Sequence, residues 1–310
     1  LAFAGAGFAL LFVIPVSGCG SQADPQRPEP IISIGQAIVL GLVEGITEYL
    51  PVSSTGHLVI TARFLGLDES SLADKSQQDA VKAYEIVIQF GAILAVLILY
   101  SARVGEMVLG VVGKNPAGRR LLINIVIAFV PAAVLGLLLS RFINDHLQST
   151  GPVAAALLVG GAGMVLFERS PWAGKSRSAG MPLNRLEPMT ALCIGLCQCL
   201  SLWPGTSRSM VTIVGALILG LSAAAAAEFS FLLGLATLSA ATFYKLWKTG
   251  PGLILHIGMP AIIIGVIVSG LAAAVAVQAF VQYLNKRGLE PFGWYRIALG
   301  LLLMLVMFRA

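Results

Sequence analysis

The sequence predicts an all-α polytopic membrane protein, with six transmembrane helices plus two re-entrant helical hairpins in an inverted-topology repeat. Three observations predict it. Of 310 residues, 57% are hydrophobic and only 11% charged, against about 25% charged in a soluble globular domain. Apolar runs long enough to cross a hydrocarbon core of about 30 Å recur from end to end. Two further apolar segments are broken at their centres by Pro, Gly, Ser and charge, which lipid tolerates only where the broken backbone is buried in protein or lines a wet cavity. The 20 Lys+Arg and 15 Asp+Glu sit mostly between apolar runs, where cations set orientation; no basic stripe argues for a nucleic-acid partner.

In chain order, residues 1–30 read as a leader or lipoprotein-like appendage. The apolar LLFVIPVSGC ends at Cys19, Val16-Ser17-Gly18-Cys19 is similar to a bacterial lipoprotein cleavage box, and the polar GSQADPQRPEP follows. A membrane-embedded domain is expected over 31–310. Its first broken segment covers 31–66 and precedes spans at about 84–102, 119–140 and 152–168; the second covers 188–221 and precedes spans at about 224–245, 253–284 and 292–309.

The broken segments are related to each other. GLVEGITEYLPVSST from Gly41 aligns with GLCQCLSLWPGTSRS from Gly195 with one gap, pairing Glu44 with Gln198, Pro51 with Pro204 and Ser54 with Ser207. Repeat one is thus 31–168 and repeat two 188–310. Each broken segment precedes three crossings, an odd number, so the second copy must enter from the opposite face. Cation clusters within 114–120 and 169–185 mark one face as cytoplasmic and leave both termini outside. Cys193, Cys197 and Cys199 have neither paired clusters nor a His at zinc-ligand spacing, so they are expected to be small buried residues.

The chemistry lies in the breaks. Glu44 and Glu48 project from one face of an apolar helix, one turn apart. Each ionised side chain at bilayer depth costs at least about 2.5 kcal/mol, so a divalent cation, a proton or a guanidinium must compensate them. Next comes Pro51-Val52-Ser53-Ser54-Thr55-Gly56-His57, where Ser54 and His57 share a face as an alcohol and its base would; Ser and Thr at such a position also serve as caps. In the second copy, Arg208 stands among Ser207, Ser209 and Thr212 at a helix start, where free N–H groups and the dipole favour a phosphate and the guanidinium adds a bidentate fork. Thr212 could face that anion or back-bond within its helix. Glu85 and Glu228 are expected at the membrane boundary, His146 and His256 in loops or interfaces, and Arg296 and Arg309 as snorkelling anchors of the last span. Acids, an alcohol, a base and an anion site meeting from opposite faces imply a lipid phosphate substrate and phosphoryl hydrolysis. The rival class is a lipid-phosphate flippase or secondary transporter, because such folds also use inverted repeats with broken helices.

At these residues the sequence resembles the bacitracin-resistance family of undecaprenyl-diphosphate phosphatases. EGITEYLPVSSTGH, Glu44 to His57, is similar to that family's first signature and PGTSRSMVT, Pro204 to Thr212, to its second; QFGAILAV and AEFSFLLG extend the likeness over about 31–310. The resemblance implies a bacterial inner-membrane hydrolase that converts the 55-carbon polyprenyl diphosphate to the monophosphate on the outer, periplasmic side, recycling the lipid carrier of cell-wall synthesis and conferring bacitracin resistance. It implies a Mg2+ or Ca2+ cofactor on Glu44 and Glu48, catalytic Ser54 and His57, diphosphate binding at Arg208, and substrate contacts from Ser53, Thr55, Ser207, Ser209 and Thr212. A homodimer is compatible with it. Met210 stands where a Gly is common, and LGLATLSAAT lacks a frequent Pro, departures that bear on packing more than on chemistry.

Overall fold

The computed structural model describes residues 30–68, 71–72, 74–174 and 180–308; the leader with Cys19, and Arg309, lie outside the described residues. The helices are α1 (Ile34–Thr47), α2 (Ser54–Phe64), α3 (Lys75–Leu99), α4 (Ser101–Val111), α5 (Pro116–Leu138), α6 (Ser140–His146), α7 (Thr150–Glu168), α8 (Pro188–Gln198), α9 (Arg208–Ile218), α10 (Ala223–Ile257), α11 (Met259–Arg287) and α12 (Glu290–Phe308). Short 3-10 turns occupy Leu183–Arg185 and Cys199–Leu202, and no strand occurs among the described residues. Five helices are long and apolar enough to cross a membrane: α3, α5, α7, α11 and the Ala223–Trp247 part of α10. The last helix, α12, has 19 residues and packs along α7.

Local chemistry sets the helix starts. Ser33 and Gln36 form a reciprocal capping box at α1, Asp74 accepts the Gln77 N–H at 2.8 Å at the head of α3, and Asn115 accepts from Gly118 just before Pro116 opens α5. One expected boundary is corrected. The Lys248–Gly252 stretch reads as a loop, yet α10 runs unbroken from Ala223 to Ile257. The chain turns instead at Gly258, whose φ of 82° is open to glycine, with Pro260 in the first turn of α11.

The broken segments are two short-helix hairpins. In the first, α1 ends at Thr47 and α2 starts at Ser54; in the second, α8 and its 3-10 extension end at Leu202 and α9 starts at Arg208. Ser53 and Ser207 are the non-glycine residues with positive φ among the described residues, 71° and 72°. Each caps the next helix, Ser53 Oγ accepting from Gly56 N–H and Ser207 Oγ from Met210 N–H. Both ends of α2 and α9 are therefore 154 residues apart, Ser54 matching Arg208 and Phe64 matching Ile218. This corrects the sequence alignment by one residue: Ser53, not Ser54, is the counterpart of Ser207. Proline misleads there, because Pro51 precedes its serine pivot by two residues and Pro204 by three; the left-handed, capping serine fixes the register.

The two halves interlock through glycine. A Cβ at Gly41 would lie 2.6 Å from Gly265 O and one at Gly45 2.2 Å from Ser269 O, so α1 lies backbone to backbone on α11 of the other half. Gly195 of α8, 154 residues after Gly41, does the same on α5, where a Cβ would meet Ala128 O at 2.4 Å. Lipid offers no hydrophobic drive for helices to associate, so close backbone approach supplies the dispersion and polar contacts that hold them. Met210, in the position of the departure noted above, is buried and its Cε fills the space over Gly160. The three cysteines are free and only half-buried, not buried as expected.

A single methyl group tests this interlock. Gly45→Ala should destabilise the detergent-solubilised protein by about 1–3 kcal/mol, the cost of overpacking a tight contact. Gly163→Ala, where a Cβ meets nothing within 4 Å, should be neutral or slightly stabilising; thermal unfolding followed by size exclusion compares the two.

Candidate active site

The tips of the two hairpins meet. Glu48, at the end of α1, is the centre of the contact: its Oε1 accepts from Arg208 NH2 at 3.2 Å, and its Oε2 accepts from Ser54 Oγ at 2.6 Å and from Gln89 Nε2 at 3.3 Å. The ion pair is buried, with 9% of the Arg208 side chain and 6% of the Glu48 side chain exposed. Arg208 is fixed on its other edge by Ser230 O, which NH1 reaches at 3.0 Å, and its Cζ lies 5.0 Å from the centre of the Tyr49 ring. Gly234 leaves room for the guanidinium, since a Cβ there would meet NH1 at 2.3 Å. Arg208 Nε has no partner, so the fork retains donor capacity beyond its resting contacts.

Glu44 lies one turn before Glu48, fully buried, and neither of its carboxylate oxygens has a hydrogen-bond partner. Glu48, Glu85 and Gln89 are its polar neighbours. Glu85, expected at the membrane boundary, is thus placed one turn from Gln89 on the face of α3 that looks at the acidic pair. An ionised buried carboxylate without donors is untenable, so Glu44 requires a proton or a cation. The donor set suits a hard divalent ion. Among the described residues no three His, Cys, Asp or Glu converge as a metal cluster; Glu44 and Glu48 would provide two carboxylates, with water and substrate phosphate oxygens completing the shell, the arrangement Mg2+ commonly adopts.

The Ser/His pair separates in the structure. Ser54 donates to Glu48, while His57 turns its ring to the Ser53 carbonyl, 2.7 Å from Nδ1, and to Tyr295 Oη, 2.6 Å from Nε2. Glu48, not His57, is therefore the group that accepts from the Ser54 hydroxyl. Ser53 is buried at the pivot and Thr55 is exposed at the mouth of the hairpin. In the second hairpin Ser209 turns inward, donating to Leu50 O at 2.8 Å and lying 3.0 Å from Ser207 Oγ, which ties the two tips together. Thr212 is committed to the scaffold: it back-bonds to Arg208 O at 2.8 Å and lies 2.7 Å from Ser230 Oγ, fully buried. Of its two alternatives, the structure shows the back-bond.

Arg296 overturns its sequence assignment. It is no snorkelling anchor but a fully buried side chain, donating to Pro51 O at 3.4 Å in the first break, Gly205 O at 2.9 Å in the second, and Ala156 O at 3.2 Å on α7. Broken backbone inside a membrane protein leaves carbonyls without helix partners, and one planar fork satisfies one in each break while its third bond anchors it on α7. Gly160 makes room for it, a Cβ there lying 2.4 Å from Arg296 NH2. Gln89, Ser230, Tyr295 and Arg296 were not singled out as site residues from sequence. The usable signal for Arg296 was that it lies four residues inside the last apolar run, at about 292–309, and not in the loop before it.

Comparison with known proteins places the whole membrane domain in one family. Residues 37–302 match the family model described as bacitracin resistance protein BacA. The chain is similar to an undecaprenyl-diphosphatase of Sorangium cellulosum, 47% identical over 86% of this chain and 84% of the relative. It is 46% identical to undecaprenyl-diphosphatase 1 of Chromobacterium violaceum over 86% of this chain and 94% of the relative. Undecaprenyl-diphosphatase 2 of Rhodospirillum rubrum is 42% identical over 88% and 95%.

Arg296→Met should leave the Pro51 and Gly205 carbonyls without donors, at about 1–3 kcal/mol for each buried group. Arg296→Lys, a point donor without the fork, should restore only part of the loss. Both are expected to unfold at lower temperature than the parent in the same detergent, in the order Met below Lys; equal midpoints for all three would show that Arg296 holds nothing.

Proposed function

The chain belongs to the bacitracin resistance BacA family, and from that membership we propose that it is an undecaprenyl-diphosphate phosphatase, releasing inorganic phosphate and the lipid monophosphate. The observation that carries the proposal is the meeting of Arg208 from one hairpin with Glu48 and Ser54 from the other. A phosphate-binding fork, a carboxylate and a hydroxyl on that carboxylate are what phosphoryl transfer needs. The flippase alternative has no use for a serine held on a buried glutamate. The full architecture we propose is six crossings, α12 being the sixth, with both hairpins re-entrant and inverted. The site would face the periplasmic side of the bacterial inner membrane, where recycling of the carrier withholds the diphosphate form from bacitracin.

In the resting site Arg208 is paired with Glu48. A diphosphate entering at the start of α9 carries more negative charge than one carboxylate and is also drawn by the free N–H groups of that helix end, so the guanidinium shifts toward it. With the guanidinium engaged by phosphate, Glu48 accepts the Ser54 proton as Ser54 Oγ attacks the terminal phosphorus and the bond to the bridging oxygen breaks. Water then cleaves the phosphoserine, and His57, one turn from Ser54 on α2, takes its proton. A divalent cation held by Glu44 and Glu48 would neutralise phosphate charge when bound. Ser53 and Ser207 act as pivots; Ser209 and Thr212 hold the frame of Arg208.

Phosphate release from undecaprenyl diphosphate by purified protein should fall at least about a hundredfold in Arg208→Ala and in Ser54→Ala, the scale of losing a group used in the transition state. Near-normal rates in either would overturn the assignment. Chelator should abolish release and added Mg2+ restore it, while Glu44→Gln should raise the Mg2+ concentration needed for half-maximal rate; indifference to chelator would remove the cation from the mechanism.

A further inference from the structure

His57 is gripped at both ring nitrogens. The Ser53 carbonyl, 2.7 Å from Nδ1, can only accept, so Nδ1 carries the proton. Nε2 of the neutral ring is then a lone pair, and the group 2.6 Å from it is the hydroxyl of Tyr295, which must donate. The two rings also stack, with centres 5.5 Å apart and planes 12° from parallel. The carbonyl is that of the residue with φ 71°, so the imidazole is anchored to the pivot of the first hairpin. Backbone strain of that kind persists only where its surroundings determine it. The charged group facing the ring is Arg296, the next residue along α12, and its donors are spent on backbone carbonyls. Tyr295 itself is 47% exposed, so its far side is open.

We propose that Tyr295 relays a proton in the reaction, acting through His57. By donating to Nε2 it holds the imidazole in the Nδ1–H form and sets its own half-exposed hydroxyl between the basic nitrogen and an arriving water. When water attacks, the Tyr295 hydroxyl passes its proton to Nε2 and takes the water proton in its place. The remaining hydroxide oxygen bonds phosphorus as the Ser54 O–P bond breaks, and Ser54 Oγ recovers the proton held by Glu48. The phenol hydroxyl then rotates and its oxygen accepts the new Nε2–H, while Nδ1–H stays on Ser53. The same clasp thus serves the neutral and the protonated ring, which a group able only to donate or only to accept could not do. The kinetic half of this proposal rests on the phosphatase reading; the structural half does not.

The test uses the full chain in detergent or nanodiscs. The protein has three histidines, so 15N-histidine labelling yields three rings, and His57→Gln identifies the one at the site. That ring should show a protonated Nδ1 and a hydrogen-bonded, unprotonated Nε2 at neutral pH, and Tyr295→Phe should shift its Nε2 signal while leaving the other two rings unmoved, which also certifies the fold. An Nε2–H tautomer, or no change in Tyr295→Phe, overturns the clasp. In phosphate release, Tyr295→Phe should lower kcat about tenfold, one hydrogen bond's worth, with KM nearly unchanged. The same substitution should have no further effect in the His57→Gln background. An equal loss in that background would mean that Tyr295 does not act through His57. A parent protein that releases no phosphate while showing the expected ring signals would refute the phosphatase reading and leave the clasp standing.

Discussion

Everything in this site depends on paying for broken helices inside a membrane. A backbone carbonyl without a partner costs several kcal/mol where no water can reach it, and two hairpin tips bring many such groups to one place. The structure answers with side chains that donate and carry charge at once. Arg296 takes one carbonyl from each break and a third from α7, Arg208 takes Ser230 O, and Ser209 takes Leu50 O. The cations that stabilise the carbonyls also set a positive field around the tips, in which buried carboxylates and, later, a phosphate become tolerable. Structural repair and substrate binding are therefore one electrostatic arrangement.

The same economy explains why the tips hold their positions. Neither hairpin is long enough to span, and each is clamped by a helix of the opposite half through glycine: Gly41 and Gly45 on α11, Gly195 on α5. Larger residues there would push the hairpins outward, and Glu48 and Arg208, on opposite tips, would lose their 3.2 Å contact. Catalytic geometry is intolerant of displacement on the scale of 1 Å, so the glycines far from the chemistry carry as much of the function as the ionisable groups do.

Much of this was legible in the sequence because membranes restrict the alternatives. Carboxylates four apart in an apolar run, and an Arg in another, have few explanations in lipid, and Glu44, Glu48, Ser54 and Arg208 were found on that basis. What failed to show was anything requiring the third dimension. Ser54 and His57 share a helix face, but which group each one bonds depends on Glu48 folding back from α1 and Tyr295 arriving from α12. Arg296 looked like a boundary residue because sequence records its distance from the chain end and not the carbonyls left bare in two loops far away. The helix through Lys248–Gly252 was misjudged because Gly and Pro are local signals that neighbouring helices can override. The repeat was visible, but its register was not, since the proline that guides the eye moved by one residue while the serine pivot stayed.

That register carries the last step. With Ser53 set against Ser207, Glu44 falls opposite Gln198, Glu48 opposite Leu202, Ser54 opposite Arg208 and His57 opposite Val211. The scaffold is nearly symmetric, but its charges are not: the acids stand on one tip and the guanidinium on the other. Had both tips kept the acids, four buried carboxylates would converge with no counter-charge; had both kept the Arg, two cations would repel at the same depth. Gln198, buried with its amide unpartnered, has the shape of Glu44 without the charge. A pair of like hairpins can hold the proposed site only by differing at these few positions, with the acids and the hydroxyl on one tip and the guanidinium on the other. The symmetry that builds the cavity must be broken by charge for the cavity to do chemistry.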